Sequence, residues 1–320
     1  MKKTKLMVSE GKIKQINENK RSSGFLRYKS MADVFGRKNF YVLSIGEVKK
    51  EKESGESAKN YFFNPNFDLV LSDERGVSSG LFLASGFNSS QDTLPQRRYL
   101  EDVLSYLDFK RKNNDIIFLI NSKKSTLYED KISFVEFYDQ GFNVPRTLHF
   151  ADNQSFNAFI NENGSNWIVK HRFGYDGKCN FLINKQNYDS FKDLNINDFV
   201  VQEELPILEE VRMIFFGEEL LGSRLITDRT RPWETRELAN RKHIIEKYSP
   251  SHEEINGALS FFNYVDATIG AVDTVHLKGG GTKILEFNGV GTGFGYPDSP
   301  AYDLNQTVAE KLKKDYIQNG

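Results

Sequence analysis

Apolar positions in this chain fall mostly into short runs of strand length, with a few longer stretches at helical spacing between them. The first 58 residues mix Lys, Glu, Ser, Asn and Gly around the island Phe40-Tyr41-Val42-Leu43, which predicts one weak strand, and residues 47 to 60 read as a loop. A strand is predicted over Phe67 to Leu71. From Pro95, residues Tyr99, Leu100, Val103, Leu104 and Leu107 recur at helical spacing behind a proline suited to a first helical turn. Asp115 to Ile120 is a further strand, so residues 1–120 predict a small α/β lobe. A helix is expected around Lys131 to Asp139, closed by Gly141 with Pro145 beyond it.

The alternation then continues with more strands than helices. Trp167-Ile168-Val169-Lys170 and Phe181-Leu182-Ile183 flank the glycine-bearing loop 172–178 and predict a hairpin. Phe199 to Val201, Val211 to Phe216, Leu220 to Ile226, Ile269 to Val275 and Ile284 to Phe287 add strand-like runs. Ser249-Pro250 opens a helix through Tyr264, with Ile255, Leu259, Phe262 and Val265 on one face, and Leu304 to Tyr316 closes the chain as another amphipathic helix. The organisation expected is an N-terminal domain over 1–120, a small central one over 121–200 and a C-terminal one over 201–320.

Composition narrows the class. At 320 residues there is enough chain for two or three lobes, and although hydrophobic residues reach only 38%, aromatics at 13% restore buriable area. Lys+Arg 43 against Asp+Glu 44 gives a formal charge of -1, which removes the electrostatic ground for coating nucleic acid or an anionic membrane. No run approaches the apolar length of a membrane span, and Met1-Lys2-Lys3 leads into a polar stretch, so a soluble cytoplasmic chain is expected. One cysteine, Cys179, excludes intrachain disulfides and cysteine-based zinc clusters. The five histidines, His149, His171, His243, His252 and His276, lack metal-ligand spacing and read as structural.

Chemistry is concentrated where polar residues interrupt apolar strands. Asp273 sits within Ile269 to Val275, and Glu286 and Asn288 flank Phe287, so the last two share a strand face. Two carboxylates and an amide oxygen make a hard oxygen set suited to Mg2+, although polar groups on an edge strand are the plainer alternative. Glu210 and Arg212 bracket Val211, close to Gln202-Glu203-Glu204-Leu205, where backbone groups can meet an adenine edge and a carboxylate can meet ribose hydroxyls. Lys170 precedes His171-Arg172-Phe173-Gly174-Tyr175-Asp176-Gly177-Lys178, a loop whose glycines let backbone N–H groups approach phosphate. It is not a Walker A loop, because no Gly-Lys-Ser/Thr follows at the required spacing.

In that order, these residues resemble the ATP-grasp superfamily and, within it, the glutathione synthetase and ribosomal-protein glutamate ligase branch. Phe118-Leu-Ile-Asn-Ser with Glu129-Asp130-Lys131 and Gly141-Phe-Asn-Val-Pro145 is similar to the segment around that branch's first ATP-contacting lysine. The resemblance covers roughly residues 115 to 300. It implies an α/β (α+β) ATP-grasp fold with an N-terminal pre-ATP-grasp lobe, a small central lid and a C-terminal mixed-sheet lobe. It further implies Lys131, Lys170, Phe173, Gly174, Gly177, Lys178, Gln202, Glu203, Leu205 and Glu210 around ATP. Asp273, Glu286 and Asn288 would hold magnesium, with two ions expected and manganese able to substitute. Arg212 and Lys170, with Arg236 and Asn240, would serve the chemistry. The chain departs from the branch in Gly289-Val-Gly-Thr-Gly-Phe-Gly295, where a small-Ser-Pro-Gly stretch is usual, and in the glycine-free segment Arg229 to Arg241.

The implied activity is Mg-ATP dependent joining of a carboxylate to an amine through an acyl phosphate, releasing ADP and phosphate. Amino acids or peptides are the expected substrates, and arginines 224, 229, 231, 236 and 241 read equally as a cationic pocket for an acidic one or as a solvated helix and loop surface. Three alternatives stand beside it: a non-catalytic ATP-binding scaffold, an enzyme like carboxyaminoimidazole ribonucleotide synthetase or biotin carboxylase, and a macromolecule-modifying protein using Lys2 to Lys20 as an electrostatic arm. A homo-oligomer is left open.

Overall fold

The computed structural model describes residues 4–7, 34, 69–73, 81–83, 118–120, 123–172, 180–191, 194–227, 244–289 and 304–314. The predicted strand Phe40 to Leu43, the loop 47–60 and the helix after Pro95 lie outside them. β1 (Thr4–Met7), β2 (Leu69–Asp73), β3 (Leu81–Leu83) and β4 (Phe118–Ile120) form one sheet in that order, with β3 and β4 parallel and the other pairs antiparallel. β2 takes in Leu69 to Leu71 of the strand expected from Phe67, and residues 67 and 68 lie outside the described ones.

Two short helices follow, α1 (Lys123–Leu127) and α2 (Ser133–Asp139). Gly141, with φ +81°, ends α2 in a Schellman turn: its N–H bonds Tyr138 O at 3.0 Å and Phe142 N–H bonds Phe137 O at 3.0 Å. β5 (Thr147–Leu148) and α3 (Asn153–Glu162) come next, the helix capped by Asp152, whose carboxylate accepts from Ser155 N at 2.7 Å. β6 (Trp167–His171) and β7 (Asn180–Ile183) form the expected hairpin, and β8 (Phe199–Glu203) pairs with both β5 and β6. This sheet, ordered β5-β8-β6-β7, packs its apolar face on Phe156 and Ile160 of α3.

The third sheet is built from β9 (Ile207–Phe216), β10 (Glu219–Thr227) and β11 (Ile244–Lys247), then, after α4 (His252–Tyr264), from β12 (Ile269–Leu277) and β13 (Thr282–Asn288). Its order is β11-β10-β9-β12-β13. Expected as mixed, it is antiparallel at every described pairing. Short turns such as Gly217-Glu218 and residues 278–281 leave no room for a parallel crossover. Ser251, two residues after the expected Ser249, caps α4 in a reciprocal box with Glu254. Ala258, Phe261, Phe262 and Val265 then pack with Val211, Met213 and Phe215 of β9, with Phe287, and with Phe134 and Phe137 of α2. α5 (Asn305–Lys313) follows, with Lys311 paired to Glu219 and its ammonium 5.8 Å from the Phe216 ring centroid. No helix of the described residues is long and apolar enough to cross a membrane.

Candidate functional site

Strand register sets the charge pattern. Because α4 takes the Val211, Met213 and Phe215 side of β9, Glu210 and Arg212 project from the opposite side. Asp273 of β12 lies opposite Arg212, and Glu286 of β13 lies opposite Asp273. On the other flank Arg224 of β10 lies opposite Arg212, and Lys247 of β11 opposite Arg224. Directly opposed residues share a face, so one transverse row reads Glu286, Asp273, Arg212, Arg224, Lys247, acidic at one end and basic at the other.

Asp273 and its neighbour Asn288 are buried and tightly bonded. Asp273 is 2% exposed and Asn288 8%. The Arg212 guanidinium donates to both Asp273 oxygens, from Nε and from Nη2, each at 2.5 Å, the two-point fork that only arginine offers. Asn288 Nδ2 adds a third bond to Asp273 Oδ2 at 2.8 Å. Asp273, opposite Glu286 and bonded by Asn288 and by Arg212, therefore joins the members of the sequence-derived oxygen set. Glu286 faces a cation of its own, Lys131 Nζ, at 3.3 Å from Oε1.

The two candidate phosphate lysines come from different elements. Lys131 sits in the turn between α1 and α2, whereas Lys170 lies on β6 and donates to Gln202 Oε1 at 2.5 Å. Gln202, 4% exposed, passes this on by donating from Nε2 to Thr147 Oγ1 at 3.0 Å. Glu203 accepts from Arg146 N at 2.9 Å and meets Lys283 Nζ at 3.1 Å, while Leu205 packs with Ile207 and Val275 and Glu210 is 3% exposed. Burial lowers the pKa of His171, helped by Lys131 and Arg172 and only partly countered by Asp198, so its ring is neutral at pH 7. Phe173, Gly174, Gly177, Lys178, Arg236 and Asn240 lie outside the described residues.

Sequence reasoning grouped Arg172 with the loop cations; the fold turns it inward. Its Nη2 meets Asp130 Oδ2 at 2.5 Å and its Nε donates to Oδ1 at 3.1 Å, with side chains 7% and 1% exposed. Each partner adjoins a more conspicuous lysine segment, and their separation of 42 positions hid the pairing.

No protein-family model and no curated protein matches the sequence. Solved structures do match along nearly the whole chain. One is the ATP-grasp ligase PsnB complexed with a minimal precursor, at TM-score 0.57 and 14% identity over 92% of this chain and 96% of that one. A second is the macrocyclase MdnC from Microcystis aeruginosa MRC bound with precursor peptide MdnA, at TM-score 0.57 and 15% identity over 93% and 97%. A third is a RiPP-associated ATP-grasp ligase from Chryseobacterium gregarium in complex with ADP and a leader and core peptide, at TM-score 0.56 and 11% identity over 92% and 94%. The chain has the ATP-grasp fold.

The donor chemistry of this ATP-grasp chain fits magnesium. Asp273 and Glu286 carry carboxylate oxygens and Asn288 an amide oxygen beside the Nδ2 that bonds Asp273, on one face of two paired strands, and such oxygen donors suit a hard cation. Among the described residues no cluster of three His, Cys, Asp or Glu side chains could hold an ion by itself.

Proposed function

We propose that this chain is a Mg-ATP dependent carboxylate-amine ligase acting on a peptide, forming an amide bond and releasing ADP and phosphate. The observation that carries the reading is the transverse row: Glu286, Asp273 and Arg212 stand opposite one another, with Lys131 against Glu286. The peptide substrate is suggested by the fold neighbours, which are described as bound to precursor peptides.

A carboxylate resists amines because its anion is a poor electrophile with no leaving group. In the proposed reaction the γ-phosphoryl group of ATP passes to the substrate carboxylate, ADP departs, the amine attacks the acyl carbon, and phosphate leaves as a proton is lost from nitrogen. Asp273, Glu286 and Asn288 would hold magnesium, which would supply charge neutralisation to the nucleotide phosphates. Lys131 and Lys170 hold phosphate oxygens; Gln202, Glu203 and Leu205 border the adenine; and Glu210 meets the ribose. Arg212, fixed by Asp273, offsets charge on the transferring group and on the tetrahedral intermediate. The loop with Phe173, Gly174, Gly177 and Lys178 closes over the nucleotide and keeps water from the acyl phosphate. Arg224 and Lys247 extend the row as a basic track for an acidic side chain, and Arg236 and Asn240 complete the acceptor side. The lobes in this reading are the substrate lobe 1–120, the lid 121–200 and the metal lobe 201–320.

The test is product analysis. The protein is incubated with Mg-ATP and pooled peptides and carboxylic acids, with Glu286→Ala as the blank. Substrate-stimulated ADP and phosphate, lost in the variant, are expected; AMP and pyrophosphate would mean adenylation and sink the acyl phosphate.

A further inference from the structure

We propose that Asp130 and Arg172 are a positioning pair that holds Lys131 and Lys170 in register for the nucleotide phosphates. The inference rests on the reading above, in which both lysines bind phosphate. Asp130 immediately precedes Lys131, and Arg172 stands two residues beyond Lys170. Their side chains meet in a two-point ion pair, Nη2 to Oδ2 at 2.5 Å and Nε to Oδ1 at 3.1 Å. The pair is reinforced on both sides. Asp130 Oδ1 accepts from Ile132 N at 3.1 Å, and Lys131 N donates to Arg172 O at 3.1 Å, so the peptide groups either side of the Lys131 Cα are fixed to the same partner set. Arg172 is itself held by the 3-10 turn Ile196–Asp198 that precedes β8, its N–H on Asp198 O at 2.9 Å and its Nη1 on Asn197 O at 3.4 Å.

Stability alone is a weak reason for such a pair. Two buried charges lose hydration that their attraction only about repays, and an apolar pair of similar volume does as well. What the arginine fork supplies is orientation: a planar, two-bond constraint between a turn and a strand end. Lysine ammonium groups sit on flexible stems, so two of them converge on one phosphate group only if their backbone anchors are fixed. The pair supplies that anchor through backbone rather than through contact with ligand.

The experiment compares the parent, Lys131→Met, the double variant Asp130→Asn/Arg172→Gln, and all three changes together, using Mg-ADP titration calorimetry and thermal melting. Removing both charges leaves no uncompensated ion, so the double variant is expected to melt within a few degrees of the parent while binding Mg-ADP about tenfold or more weakly. Lys131→Met weakens the parent but adds little in the double variant, because the misplaced lysine has already lost its contact. Parent-like affinity in the double variant, or full additivity of Lys131→Met with it, makes the pair merely structural and overturns the proposal. If the double variant does not fold, Asp130→Glu keeps the charge and moves the turn by one methylene; tenfold weaker binding supports positioning and unchanged binding overturns it. Failure of the parent to bind Mg-ADP, or indifference to Lys131→Met, instead removes the nucleotide reading on which the inference stands.

Discussion

A methyl group added at Gly270 or at Gly222 meets very different neighbours. At Gly270 a Cβ lies 2.8 Å from the Asn288 backbone oxygen and 3.1 Å from the Phe287 ring; at Gly222 it lies 2.9 Å from a Leu304 methyl. A leucine methyl swings away, whereas the Asn288 carbonyl is part of the β12–β13 ladder. Gly270→Ala is therefore expected to cost about 1–3 kcal/mol, the usual range for overpacking, and to weaken magnesium-dependent nucleotide binding because Asn288 moves. Gly222→Ala should stay within about 1 kcal/mol and leave binding intact, since one flexible side chain absorbs the crowding. Urea unfolding with Mg-ADP calorimetry separates the two; equal losses would refute the crowding argument. At this scale the sequence was legible where one polar residue breaks an apolar run, as with Asp273, Glu286, Asn288 and Arg212. It was silent on Asp130 with Arg172, because no local pattern encodes a partner on another element.

At the scale of elements, α4 was readable because a capping serine precedes a clean apolar face, and β9, β12 and β13 because buried strands read as continuous apolar runs. α3 was missed: Asn153–Glu162 buries only Phe156 and Ile160, a stripe too narrow to stand out among polar residues. The packing of α4 on the sheet holds a titratable link that spacing did not reveal. His276 of β12 bonds Glu209 of β9 through Nδ1 at 2.7 Å and Glu254 of α4 through Nε2 at 2.7 Å, beside the Tyr248 ring at 5.7 Å. Burial alone lowers the His276 pKa, but the hydrogen bonds and charges of Glu209 and Glu254 outweigh it and the net shift is upward. Tyr248 is pushed up to about 12 by burial and by its bond to Glu254, so it stays neutral throughout. A raised histidine stabilises the fold fully below its unfolded pKa of about 6.5, and that contribution is lost as pH rises through the higher folded value. Glu254, whose pKa is lowered, loses its own contribution only as pH falls below about 4.5, outside this window. The stability gap between the parent and His276→Gln should therefore be widest near pH 6 and shrink towards pH 9 in urea unfolding. His149 and His171, both lowered, act in the opposite sense but cancel in the difference. A gap that does not change with pH would mean that folding leaves the His276 pKa unshifted, and a gap that widens towards high pH would mean that burial outweighs the two carboxylates.

For the whole molecule, the partition of the core decides how a ligand couples to stability. One apolar cluster joins the five-stranded sheet to α2 and α4, and another joins the β5-β8-β6-β7 sheet to α3. Periodicity shows which face of α2 is apolar but not which sheet receives it, so this grouping was not legible from sequence. Polar links run between the two units: Lys283 of β13 to Glu203 of β8 at 3.1 Å, and Asp130, ahead of α2, to Arg172 at the end of β6 at 2.5 Å. A nucleotide held by residues of both units adds its binding free energy to their common stability, about 2.7 kcal/mol at a ligand concentration one hundred times Kd. Mg-ADP is thus expected to raise the melting temperature, and chelation of magnesium to remove much of the rise. Glu286→Gln discriminates between ligand linkage and general salt stabilisation. Its partly exposed pair with Lys131, at 34% and 16% side-chain exposure, is worth at most about 1 kcal/mol, so the unliganded variant should melt close to the parent. Its response to Mg-ADP should be smaller and nearly indifferent to chelator, because a neutral amide is a weaker ligand for a hard cation than a carboxylate. If Glu286→Gln keeps the full magnesium-sensitive rise, Glu286 does not hold the ion, and the acidic end of the row must be assigned to Asp273 and Asn288 alone.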